Sequence, residues 1–163
     1  MTSLDKARAL AIAVPAALLA GAYGSEIWGG LYPCEMCWWQ RYAHFVALAF
    51  GLLSLALRSF PDRGRSLVWL AALAILTSGG IGAYHAGVEA GVFEGFTQCT
   101  STAGAGLSGE ELLKAVMAAP LVTCKDIQFA FLGISMAGWN AILSILAALS
   151  VLWLSLRRPR ARS

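Results

Sequence analysis

Four long stretches of this chain carry no charge: residues 9–25, 42–57, 66–88 and 127–156. At 17, 16, 23 and 30 residues, they bracket the roughly 20 helical residues that cross a bilayer core. The second is short and must borrow its interfacial flanks. Lipid offers no partner to backbone N–H and C=O groups, so a segment that spans it alone must be a helix. With 58% hydrophobic and 13% charged residues and a mean hydropathy of +0.67, the chain is too apolar for a soluble globule, whose apolar share is nearer ~45–50%. Its 163 residues make one domain. The expected fold is an all-α integral membrane protein, a four-helix transmembrane bundle over 1–163. Its helices are expected at 9–25, 40–57, 66–87 and 127–156, joined by outer loops 26–39 and 88–126 and a turn at 58–65.

The basic residues orient this bundle. Lys6 and Arg8 precede the first run, Arg58, Arg63 and Arg65 separate the second from the third, and Arg157, Arg158, Arg160 and Arg162 follow the fourth. Nine of the twelve Lys and Arg thus fall on one face of a four-pass topology. The other face holds Arg41, Lys114 and Lys125 among seven acidic residues. By the positive-inside rule both termini are cytoplasmic. The net charge of +3 then serves topology and implies no nucleic-acid partner. Ala20-Gly21-Ala22 behind a basic, apolar N-terminus mimics a signal-peptide cleavage site. Small residues also suit helix packing, and three more spans follow, so a retained helix is expected.

Within the spans, Pro15 is tolerable as a kink. Ser78-Gly79-Gly80-Ile81-Gly82-Ala83 is a small-residue patch that lets a neighbouring helix approach closely. Trp28, Tyr32, Trp38 and Trp39 edge the first outer loop as an interfacial belt. In the second, Ser108-Gly109-Glu110-Glu111 reads as a capping box ahead of Leu112, Leu113, Val116 and Met117 on one helical face. Pro120 stops this short amphipathic helix, which is expected to lie on the membrane surface.

The only four cysteines, Cys34, Cys37, Cys99 and Cys124, all fall on the outer face, where disulfides persist. Cys34-Glu35-Met36-Cys37 follows Pro33 at the mouth of the second span. If that helix starts within the motif, Cys37 sits at the positive end of the helix dipole with Arg41 one turn on. Both favour a thiolate at Cys37. A buried-edge Arg needs a partner, and a quinone oxygen would be one; snorkelling to headgroups is the alternative. A zinc site is not expected, because the other two cysteines lie 62 and 87 residues past Cys37 and form no second close pair. A C-x-x-C ring constrains almost no chain, so it stabilises little by loop closure. His85 falls at the outer end of the third span, where it could donate to a quinone carbonyl or make an interfacial hydrogen bond. His44 reads as packing and Asn140 as an interhelical hydrogen bonder. Cys99 lies in Thr97-Gln98-Cys99-Thr100-Ser101-Thr102-Ala103-Gly104, small and polar and so reachable, whereas Cys124 is tethered near the last span.

These residues resemble the bacterial disulfide bond formation protein B family. Pro33-Cys34-Glu35-Met36-Cys37-Trp38-Trp39-Gln40-Arg41 is similar to its P-C-x-x-C-x-x-x-R segment, and Cys124 with Phe131-Leu132-Gly133-Ile134-Ser135-Met136 and Trp139 extends the likeness. The resemblance implies a membrane thiol oxidoreductase that reoxidises a periplasmic thioredoxin-like thiol oxidase and passes two electrons to ubiquinone or menaquinone. It implies that Cys99 and Cys124 form the partner-facing pair and Cys34 and Cys37 the quinone-facing pair, with Arg41 and His85 beside the quinone. Gln40 stands where some members carry an acidic residue. Two rivals remain at this stage. One is a structural tetraspan protein with two inert disulfides. The other is an oxidoreductase of the vitamin K epoxide reductase type, against which the early position of the C-x-x-C speaks.

Overall fold

A computed structural model of the chain describes residues 2–95, 109–110 and 122–157. Four long helices dominate it: α1 (Ser3–Ile27), α2 (Glu35–Ala56), α3 (Arg65–Glu89) and α4 (Met136–Leu156). Helices α1, α3 and α4 are each long and apolar enough to cross a membrane. The 22-residue α2 carries Glu35, Gln40, Arg41 and His44 in its first half, which lowers its hydropathy below that of the other three. Pro15 is accommodated inside an unbroken α1.

One helix boundary departs from expectation. The uncharged run at 127–156 begins as irregular chain and a two-residue-per-strand hairpin, β1 (Ala130–Phe131) with β2 (Ile134–Ser135), before α4 starts at Met136. Leu132 and Gly133 turn the hairpin with φ of 54° and 77°, the left-handed pair that a tight two-residue turn requires. The hairpin is fastened to α4 by Trp139, whose Nε1 donates to the Phe131 carbonyl at 3.0 Å. Ser135 caps α4, its Oγ accepting from Gly138 N at 3.1 Å. The amphipathic helix expected from residue 108, apart from residues 109 and 110, lies outside the described residues.

The bundle buries polar side chains among small apolar ones and turns its large apolar side chains outward. Arg8, Gln40, Arg41, His44, Ser54, Ser78, His85, Ser144 and Ser155 are all buried, while Leu73, Leu146, Leu149, Tyr42 and Trp153 are exposed. An exterior this apolar matches a hydrocarbon solvent, in which burial of Leu side chains would gain nothing. The helices instead close on small residues: Ala7, Ala11, Ala71 and Ala72 with Leu4, Val68 and Val151 at one end, and Ala47, Ala147 and Ala148 around Ile75 at mid-depth. The small-residue patch on α3 works as expected at two of its glycines. A Cβ on Gly82 would lie 3.0 Å from the Ala137 carbonyl and one on Gly79 3.1 Å from Ser144 Cβ, whereas Gly80 faces open space. Gly82→Leu should therefore cost about 1–3 kcal/mol by overpacking the α3–α4 seam, and Gly80→Leu should leave thermal unfolding in detergent nearly unchanged. Equal midpoints for the two variants would contradict that packing.

At the end where α1 begins and α4 finishes, Arg8 does more than carry charge. Its guanidinium donates to Ser54 Oγ and Asp5 Oδ1, each at 3.1 Å, and to the Arg63 carbonyl at 2.6 Å. It thus ties α1 to α2 and to the turn before α3. In that turn Asp62 accepts from Ser66 Oγ at 2.7 Å and Gly64 N at 2.9 Å. Those bonds, the Ser66 side chain's first, hold its carboxyl below the usual aspartate range.

Candidate functional site

The opposite end of the bundle gathers Cys34, Cys37 and Cys124. Helix α2 starts inside the C-x-x-C, as the sequence led one to expect. Cys34 is its N-cap, with Sγ accepting from Cys37 N at 3.4 Å. The two sulfurs lie 3.2 Å apart, Cys34 donating, so Cys37 is the sulfur that receives the proton of its neighbour. Cys124 is buried against the same pair, packed with Met36 and Val88. Proton sharing with Cys124 first and Cys37 second pushes the Cys34 thiol well above the usual thiol range. Cys34 and Cys37 are free thiols here. Cys99 lies outside the described residues.

Two local devices carry Cys124 to this position although it is distant in sequence. The side-chain amide of Gln128 clasps the backbone of Tyr32, accepting from its N–H at 3.0 Å and donating to its carbonyl. This pins the segment before α4 to the loop before α2. Cys124 itself sits in a turn closed by Asp126, whose Oδ2 accepts from Thr123 N at 2.9 Å and Thr123 Oγ1 at 2.8 Å. The backbone bond from Thr123 is the main cause that keeps the Asp126 carboxyl below its ordinary range. The turn is thus expected to hold through neutral and mildly acidic pH and to loosen only once pH falls through that lowered value.

His85 joins the sulfurs from α3. Its Nε2 lies 3.5 Å from Cys34 Sγ and 3.7 Å from Glu89 Oε1, one helical turn on. Glu89 also accepts a short hydrogen bond from Ser135 at the cap of α4. The ligating atoms of Cys34, Cys37 and His85 all fall within 4.8 Å of one another. A soft cation such as Zn²⁺ could bridge two thiolates and a ring nitrogen at this spacing. A third sulfur, Cys124, in contact with Cys34 adds what exchange chemistry needs: an attacking thiol and a target in one place.

Arg41 is placed one turn below Cys37, and it already has a partner. Its Nη1 donates to Glu26 Oε2 at 2.5 Å and its Nη2 to the Ala22 carbonyl at 3.1 Å, both on α1. The Tyr23 and Trp38 rings flank the guanidinium at 4.5 and 5.0 Å, a cation–π sandwich that suits a partly desolvated cation. Snorkelling to headgroups does not describe it: Arg41 is 6% exposed.

Cys34, Cys37, Arg41 and His85 line one cavity of about 250 Å³ walled by all four helices. Its walls are apolar where Leu18, Leu19, Phe129 and Met136 stand. Its floor holds what the sequence reading did not assemble, a hydrogen-bonded chain across three helices. Gln40 Nε2 donates to the Met36 carbonyl and to His85 Nδ1, each at 3.1 Å. Gln40 Oε1 accepts from Asn140 Nδ2 at 2.7 Å, and Asn140 Oδ1 meets His44 Nε2 at 2.9 Å. Asn140 is the interhelical bonder expected of it, whereas His44 belongs to this polar chain rather than to apolar packing. The Glu89–His85 spacing of one turn was readable in the sequence; the Gln40–Asn140–His44 link, spread over two distant helices, was not.

The sequence profile of the family described as disulfide bond formation protein DsbB matches residues 5–154. A disulfide bond formation protein B of Paracidovorax citrulli is 33% identical over 162 residues, covering 94% of this chain and 89% of that protein. Another, from Aromatoleum aromaticum, is 30% identical over 136 residues, covering 79% of each chain. An uncharacterized protein of Rickettsia prowazekii is 27% identical over 129 residues, covering 78% of this chain and 73% of its own length. No solved structure gives a significant match. With a cysteine cluster at one end of a helical membrane bundle and a family match over nearly its whole length, the chain belongs to the disulfide bond formation protein B family.

Proposed function

We propose that this protein is a four-pass inner-membrane thiol oxidoreductase, with cytoplasmic termini and periplasmic cysteines. In this reading it reoxidises a periplasmic thioredoxin-like dithiol oxidase and delivers the electrons to a membrane quinone. The observation that carries it is the meeting of Cys34, Cys37, Cys124 and His85 at the mouth of an apolar cavity.

The chemistry runs as two exchanges and one oxidation. A partner thiolate attacks Cys99 of a Cys99–Cys124 disulfide, forming a mixed disulfide and releasing the Cys124 thiolate. The partner's second thiolate then resolves that bond, leaving Cys99 as a thiol. Cys124 is packed against Cys34, so it attacks Cys34 Sγ of a Cys34–Cys37 disulfide and expels Cys37 as thiolate into the first turn of α2. The positive end of the α2 dipole lies there, and it stabilises the leaving sulfur. The Cys99 thiolate then attacks Cys124, restoring that disulfide and leaving Cys34 and Cys37 as a dithiol. The Cys34–Cys37 dithiol closes again as a disulfide by giving up two electrons and two protons, for which a bound quinone would be the acceptor.

The residues present suit such a ring. Apolar walls fit its faces, the Arg41 guanidinium supplies positive charge near its oxygens, and His85 holds a proton beside the sulfurs. With Nδ1 accepting from the Gln40 amide, His85 carries its proton on Nε2, toward Cys34 and Glu89.

Two measurements test the reading. Anaerobic mixing of the purified protein with quinone and a reduced thioredoxin-like oxidase should bleach the quinone absorbance stoichiometrically with oxidase disulfide formed. An unchanged spectrum, with Cys34–Cys37 inert to mild reductant, would leave a structural tetraspan protein instead. In reduced intact cells, a membrane-impermeant maleimide should label the cysteines; labelling that requires lysis would overturn the topology.

A smaller effect is expected at the turn that presents Cys124. Asp126→Ala removes both bonds to Thr123 and should slow formation of the Cys34–Cys124 mixed disulfide several-fold. Quenched-flow thiol trapping would read this, and an unaltered rate would show that the Gln128 clasp alone places Cys124.

A further inference from the structure

His44 is the one side chain of the cavity floor with an unanswered polar atom. It is 3% exposed and lines the cavity seven residues, two helical turns, below Cys37. Its Nδ1 is buried without a hydrogen-bond partner among the described residues. A buried polar atom left unpaired is costly, so its presence calls for a ligand.

The network around it fixes what that ligand must offer. Two backbone carbonyls set the direction of every bond. The Met36 carbonyl can only accept, so the nitrogen of the Gln40 amide faces it and the Gln40 oxygen faces Asn140. The Ser78 carbonyl, 3.2 Å from Asn140 Nδ2, likewise forces the Asn140 oxygen toward His44. Ser144 Oγ donates to that same oxygen at 3.1 Å. Ser78 Oγ spends its proton on the Gln40 carbonyl at 3.1 Å and so stands as an acceptor, 2.9 Å from His44 Nε2. Between two acceptors, Nε2 carries the ring proton. In the neutral ring Nδ1 is then a bare acceptor, and it can pair only with a donor.

A quinone carbonyl is an acceptor and cannot satisfy it, whereas the hydroxyl of the corresponding quinol can. Resting on the quinone reading above, we propose that His44 Nδ1 is a hydroxyl-binding subsite at the inner end of the cavity, which makes the site prefer the dihydroxy, reduced form of the ring. The preference has a redox consequence. Each tenfold tighter binding of the reduced form raises the midpoint of the bound two-electron couple by about 30 mV, which draws electrons from the dithiol. The cost is slower product release.

The test is equilibrium binding of a short-chain ubiquinone and of its quinol to the full chain in detergent, under anaerobic conditions. Wild type is compared with His44→Leu and His44→Gln; the glutamine keeps a donor near the Nε2 position for Asn140 and removes the ring acceptor. Both variants should weaken quinol binding about tenfold, the scale of one hydrogen bond, and shift quinone binding less than twofold. Quinol added to wild type should also move the ¹⁵N resonance of His44 Nδ1 from that of a bare imine toward that of a hydrogen-bonded one, whatever the variants do. Equal weakening of both ligands, preferential loss of the quinone, or an unmoved resonance would each overturn the subsite while leaving the quinone reading in place. Wild type that binds neither form would overturn both.

Discussion

Cys37→Ser is expected to abolish quinone-linked turnover, a loss on the order of 10⁶-fold as for removal of a covalent group, and to accumulate a disulfide between Cys34 and Cys124. The reasoning is geometric. Cys124 packs with Cys34 and shares its proton, and the Cys34 sulfur is the one that faces both neighbours. Without Cys37, the Cys34 thiolate can still attack Cys124 in a Cys99–Cys124 disulfide and release Cys99. Nothing remains in place to resolve the product toward the quinone. Non-reducing proteolysis and mass spectrometry would map the bond. Cys34→Ser should abolish turnover equally but yield little Cys37–Cys124 bond, because Cys37 is held in the first turn of α2 and Cys124 shares its contact with Cys34. Comparable trapping at both positions would show that Cys124 is free to choose its target, and the ordered relay would fall.

Much of this site was legible before any coordinates, for identifiable reasons. A C-x-x-C between Pro33 and an apolar run marks a helix start, and Cys34 does cap α2. Glycines within one turn of each other mark a close helix approach, although only Gly79 and Gly82 face α4. The start of α4 was missed because an uncharged run says nothing of where helix begins. The turn signal was Leu132-Gly133, where the left-handed backbone breaks the pattern. The polar floor stayed hidden for a different reason. Gln40, Ser78, His85 and Asn140 come from three helices, and each alone reads as an ordinary polar residue in a span. Their shared role depends on helix rotation, which packing decides. The partner of Arg41 was hidden likewise: Glu26 counted only as an outer-face acid until α1 brought it within reach.

That partner sharpens what Arg41 is expected to do. Arg41→Met deletes the α1–α2 ion pair as well as the positive charge in the cavity, so stability and quinone handling must be separated. Glu26 is 30% exposed at its side chain and can rehydrate. The loss should therefore be about 1–2 kcal/mol rather than the ~3–5 of a fully buried pair. Glu26→Gln breaks the same ion pair but leaves the guanidinium between Tyr23 and Trp38 and bonded to the Ala22 carbonyl. Arg41→Met also loses the Ala22 bond and both ring contacts, so it should lower the unfolding midpoint more than Glu26→Gln, and the double variant should fall no further than Arg41→Met alone. Only Arg41→Met should raise the quinone KM, by about tenfold if one charge-assisted bond is lost. Lysine restores charge without the planar fork, so Arg41→Lys should recover part of the KM and little of the stability. If Glu26→Gln raises the quinone KM as much as Arg41→Met does, Arg41 acts by holding α1 against α2 and not by facing the acceptor.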